Sequence, residues 1–187
     1  MSWWVVIVLI VLMLAVFGWY LSNVAGRLDR LHKKIDTAQL ALEAHLAYRT
    51  SVCLELAGSG LLDPASSLLL AEAAHDARIS SAVERSMAES DLTATIEATF
   101  ADPDDVAELR SDAQGAQMLD ELASACKRVE LSRIFLNDAV LSCRKIRSRG
   151  IVKAFSLAGH TAWPHTWEMN DVVPAALTAR YAQGDVH

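Results

Sequence analysis

The hydrophobic pattern along the chain changes character near residue 22. From Trp3 to Leu21 the apolar residues run without a charge, WWVVIVLIVLMLAVFGWYL. Beyond that run they recur every three or four positions, as one buried face of a helix requires. Leu28, Leu31, Ile35, Ala38, Leu42, His45, Arg49, Val52 and Leu56 form a heptad seam that predicts a helix over about 25–57. GSGLLDP breaks it, and Asp63 followed by Pro64 reads as an N-cap and first helical position. A second helix is expected over 64–100, on a less regular stripe of Leu69, Ala73, Val83, Met87, Leu92 and Ile96. ADPDD is the next break. A third helix is expected over 106–149, with the cleanest seam: Met118, Leu122, Ala125, Val129, Ser132, Leu136, Ala139, Cys143 and Ile146. Gly150 closes it, leaving an aromatic-containing tail, 151–187, with a short helix at about 173–181. There Phe155, Trp163 and Trp167 are expected to cap the bundle end rather than bind a cofactor.

The apolar run decides the class of protein. Its 19 uncharged residues rise about 28 Å as a helix, close to the hydrocarbon thickness of a bilayer. Trp3 and Trp4 open it and Trp19 and Tyr20 close it, as the headgroup preference of aromatic rings requires. A cleaved signal peptide fits poorly, because the run is too long and no small-x-small site follows. Residues 1–24 are therefore expected to be an anchor contacting the bilayer through 3–21. Arg27, Arg30, Lys33 and Lys34 follow the run and nothing basic precedes it. The positive-inside rule then puts the N-terminus outside and the rest in the cytoplasm. Cys53, Cys126 and Cys143 are odd in number, scattered and on apolar positions, which reads as reduced core thiols.

Composition adds two restraints. Of 187 residues 52% are hydrophobic with few aromatics, a helix-favouring balance. The net charge of -6 argues against a nucleic-acid partner. The fold class expected is all-α: a single N-terminal transmembrane helix continuing into an antiparallel three-to-four-helix bundle over 25–150.

Candidate chemistry is sparse. No phosphate-binding glycine loop, nucleophile elbow or H-E-x-x-H occurs, and the cysteines form no C-x-x-C. His160 and His165 flank a Trp-Pro turn at a spacing unsuited to a metal. No catalytic residue, cofactor, metal or small-molecule substrate is expected. His45 and Arg49 interrupt the first seam, and a buried guanidinium needs a partner. A hairpin about GSGLL would set Asp76 opposite His45 and Glu72 opposite Arg49; the other possibility is that both seam residues point to water. In RIFLNDAV, Asn137 and Asp138 fall about 100 and 200 degrees from seam residue Leu136, which reads as a solvated face. With one helix leaving the bilayer, one returning and a third leaving again, two placements follow. The acidic bend of Asp102, Asp104, Asp105 and Glu108 comes back to the basic neck, Arg27 to Lys34. Arg144, Lys145, Arg147, Arg149 and Lys153 gather at a far tip, a docking point for an acidic partner.

Three stretches resemble the LemA family of bacterial membrane-anchored helical proteins. They are QLALEAHLAYRTSVCLEL from Gln39, AESDLTATIEATFADPDD from Ala88 and ELSRIFLNDAVLSCRKI from Glu130. The last carries an aromatic-Asn-x-x-V pattern as Phe135, Asn137 and Val140. The aromatic-rich ending of such proteins is echoed by AFSLAGHTAWPHTWEM. Two positions depart from the pattern: Gln39 stands where tryptophan is usual and Leu54 where proline is. The resemblance implies a divergent member, an antiparallel helical bundle on an anchor in the bacterial inner membrane, with no established catalysis; the function expected is a scaffold or protein-interaction module with an unidentified protein partner. It also raises Asn137 to a helix–helix hydrogen bonder. The competing expectation is a coiled-coil accessory subunit of a larger membrane complex, its seams bound to another chain.

Overall fold

The structure, a computed structural model, describes residues 3–148, 150, 152 and 163–178. Among them all regular structure is helical. α1 (Trp3–Gly58) is a single helix of 56 residues. Its apolar beginning is fully exposed and is long and apolar enough to cross a membrane. α2 (Pro64–Ile79) and α3 (Arg85–Thr99) follow, then a short α4 (Pro103–Ser111), the 35-residue α5 (Ala113–Arg147) and a one-turn α6 (Ala175–Thr178).

Local chemistry explains the boundaries. Gly60 takes the left-handed conformation (φ 76°) that ends the turn after α1. Asp63 caps α2 by accepting from the amides of Ala65 and Ser66, with Pro64 at the first helical position. Asp102 caps α4 through the Asp104 amide, and Asp112 accepts from Gly115 at 2.8 Å at the start of α5. Each aspartate satisfies an amide that the helix itself leaves unpaired.

The long second helix expected over 64–100 is two helices. Ser80 and Ser81 divert the backbone: the Ser80 hydroxyl donates to Ala77 O and the Ser81 hydroxyl to Glu84. α2 and α3 then pack on each other. The expected stripe is correspondingly out of phase up to the start of α3 and in phase after it. Leu69, Val83 and Met87 are exposed and Leu70, Ala74 and Ala77 of α2 are buried instead, whereas Leu92 and Ile96 of α3 are buried as expected. The third helix also begins later than expected, because Pro103–Ser111 forms α4.

The chain divides into two compact units, and α1 and α5 contribute to both. The larger comprises Gln39–Leu136 and Trp167–His187. Its core is built from Val52, Cys53 and Leu56 of α1, the buried residues of α2 and α3, Val106 and Leu109 of α4, and Met118 to Cys126 of α5. Leu177 of α6 closes it. Tyr48 donates to Glu121 at 2.6 Å, and the turn after α1 lies beside Asp105, Glu108 and Asp112. Hence α5 runs antiparallel to α1 here, and the acidic bend packs on the GSGLLDP turn rather than on the basic neck as expected.

The smaller unit comprises Met1–Ala38 and Asn137–Thr166. Leu28 and Ile35 of α1 and Ala139, Val140 and Cys143 of α5 are buried in it. Cys143 Sγ lies 3.8 Å from His32 Nε2. The basic end of α5 is therefore beside the neck, where a far tip was expected. One cause accounts for both displacements. The break at Ser80 adds a helix, so α3 and α5 run opposite to the direction expected.

Candidate functional site

Two sites in the larger unit draw on the polar residues that interrupt the apolar pattern. The first is a buried ion pair. Arg49 is 1% exposed and Glu89 is fully buried. Arg49 Nη2 donates to Glu89 Oε2 at 2.8 Å and to Glu89 O at 3.0 Å, and Nη1 donates to Thr93 Oγ1 at 2.9 Å. Thr93 in turn donates to Glu89 O at 3.0 Å. Arg85 approaches the other carboxylate oxygen at 3.8 Å from the side facing solvent. Of the two placements left open for Arg49, burial is the one found, and its partner is Glu89 on α3, not Glu72.

Two thiols flank this pair. Burial pushes Cys53 up to about 12, with Cys126 and Glu89 adding to the rise and Arg49 opposing it. Burial also raises Cys126, against the pull of Arg49. Cys143 is raised by burial as well, and all three cysteines are free and buried. Neutral thiols of this kind are poor nucleophiles. The pair and its thiols form a locked polar layer in the core, closed to solvent.

The second site is open. A groove of about 630 Å³ lies between α2 and α3, lined by Leu69, Ala73, Ile79, Met87 and Ala88. Its remaining lining is Glu72, Asp76, Ser80, Glu84, Asp91 and Thr95, so it holds four carboxylates and no cation. Met87 is 71% exposed and Val83, in the connecting turn, 91%. Glu72 and Asp76, expected opposite Arg49 and His45, are instead exposed on this groove, and His45 is half-buried on α1. The sequence signal that would have found the groove is the same one that misled: apolar Leu69 and Met87 out of phase with a buried stripe.

The tail is tied back along α5. Arg133 makes a two-pronged ion pair with buried Asp171, Nη2 to Oδ1 at 2.9 Å. This partner holds the Arg133 guanidinium above its usual range. The Asn170 amide donates to Ser90 Oγ at 3.0 Å. In the smaller unit Arg144 Nε donates to Pro164 O at 2.7 Å, and the Arg147 guanidinium lies 5.0 Å over the Trp163 ring. Two of the cations assigned to a free docking tip are thus engaged within the chain. Trp163 is exposed beside Arg147, Trp167 is half-buried, and α6 falls within the short helix expected at 173–181. Lys145 is exposed; Asn137 is half-buried and Asp138 exposed. Arg149, Lys153, Phe155 and His160 lie outside the described residues. No group of three metal-ligating side chains occurs among the described residues. Comparison with protein-family models, with curated proteins and with solved structures returned no match.

Proposed function

We propose that this chain is a single-pass membrane protein whose helical bundle stands in the cytoplasm and docks a partner protein. The apolar run with aromatic pairs at both ends supports the anchor. The basic stretch behind it supports an N-terminus outside, and the LemA-like motifs support a bacterial inner membrane. Those motifs also supply the polar layer, because Arg49 lies in the first stretch and Glu89 and Thr93 in the second. A scaffold or interaction module fits better than a coiled-coil accessory subunit. The seam residues Leu42, Val52 and Leu56 are consumed by the chain's own helices and offer nothing to another coil.

The observation that carries the docking role is the groove between α2 and α3. Apolar residues rarely form so exposed a cluster without a partner. The four surrounding carboxylates select the occupant: an amphipathic helix of another protein, with an apolar stripe flanked by Lys or Arg. Placing a photo-crosslinking residue at Met87 in the full chain, in native membranes, tests this. The captured peptide should be such a basic amphipathic segment, and E72Q/D76N/E84Q/D91N should abolish capture. An acidic or neutral captured segment, or capture indifferent to neutralisation, would overturn the reading.

A further inference from the structure

We propose that the groove where the end of α5 meets the basic neck of α1 binds the phosphate of an anionic phospholipid headgroup. This rests on the membrane reading above. The groove, about 480 Å³, is lined by Arg27, Arg30 and Leu31 of α1 and by Ser142, Lys145 and Ile146 of α5. Three cations from two distant parts of the sequence thus converge on one space, and no carboxylate lines it. The nearby Asp29 faces Lys33 at 3.7 Å. Among the described residues Arg27, Arg30 and Lys145 make no ion pair. Gathering like charges is unfavourable unless an anion lies between them.

The chemistry suits a phosphodiester. Guanidinium forks match two phosphate oxygens, the lysine adds a point charge, and the Ser142 hydroxyl is a further donor. Leu31 and Ile146 give the groove an apolar floor. The position points to lipid rather than to free phosphate. Arg30 also lines an adjoining groove with Trp19, Ser22, Asn23 and Gly26. That second groove runs back to the end of the apolar run, a path for the glycerol and first acyl carbons. Arg27 and Arg30 stand about 9 and 14 Å beyond Leu21 along the helix, and long stems reach back towards the headgroup layer. Cations just cytoplasmic to a span are placed for anionic lipid.

The test uses the full chain in two arms. Co-flotation with neutral phosphatidylcholine vesicles reads the anchor alone; failure to float would sink the membrane reading, and this site with it. If the chain floats, native mass spectrometry from nanodiscs of equal phosphatidylglycerol and phosphatidylcholine reads the site. Phosphatidylglycerol should be retained on the order of five-fold over phosphatidylcholine, and R27Q/R30Q/K145Q should bring that ratio near unity. K34Q/R78Q/K127Q removes the same charge outside the groove and should leave the ratio unchanged. Equal loss in both variants, or no enrichment in the parent, overturns the site. Displacement of the lipid by millimolar inorganic phosphate would reassign the groove to free phosphate. Unchanged helical circular dichroism in both variants guards against unfolding.

Discussion

At the scale of residues, the buried Arg49–Glu89 pair gives the sharpest expectation. Removing one partner strands the other in the core, so Arg49→Leu or Glu89→Leu should each cost about 3–5 kcal/mol. Removing both leaves an apolar layer, and the double variant should regain most of that loss, because buried pairs replaced together are near neutral. Denaturant unfolding of the full chain in detergent measures all three. A double variant as unstable as the singles would mean that the pair does more than balance itself. The seam made burial one of two placements for Arg49 without deciding between them; Glu89 was not legible as its partner, because counting across a hairpin presumed an unbroken second helix. The thiols add a pH dependence. Cys53 rises from an ordinary value of 9.0 to about 12 on folding. A raised folded value gives stability that is full below the unfolded value and lost as pH climbs towards the folded one. Stability should therefore fall from about pH 9 upwards, and Cys53→Ala should flatten that alkaline limb. An equally steep limb in Cys53→Ala would remove Cys53 as its origin.

At the scale of elements, periodicity was a faithful guide wherever a helix is long and one-faced. Every seam position of α5 is buried or half-buried, and α1 follows its heptads. It failed over 80–84, where two serines offer the backbone alternative bonds and no glycine or proline marks the turn. It was also silent on Gly115, which determines how α4 meets α5. A Cβ built there would lie 2.2 Å from the carbonyl oxygen of Leu109, a backbone atom that cannot swing aside. Alanine is the better helix former by about 1 kcal/mol, yet overpacking of this kind costs about 1–3 kcal/mol. Gly115→Ala should thus lower the thermal midpoint seen by circular dichroism. Gly26→Ala, with nothing within 4 Å, should not lower it. A midpoint unmoved or raised in Gly115→Ala would show that α4 and α5 part freely.

At the scale of the whole molecule, one missed turn relocated two charged clusters, because the count of helices fixes the direction of each. The acidic bend joins the turn after α1, and the cations of α5 join the neck in the smaller unit. Two basic sets therefore share one place, and on the proposed orientation they act at different times. Orientation in a membrane is decided during insertion by cations within about 15–20 residues of the span. Arg27, Arg30, Lys33 and Lys34 satisfy that limit; Arg144, Lys145 and Arg147 lie far outside it and reach the neck only after folding. Replacing the first four with Gln while placing three Arg before Trp3 should invert the chain. A reporter fused after His187 would then be active on the outer side only. Replacing Arg144, Lys145 and Arg147 with Gln should leave the reporter inside, though the same change disturbs the groove at the neck. An inversion caused by the α5 set, or none caused by the neck set, would mean that folding precedes and directs insertion, and the proposed orientation would lose its physical basis.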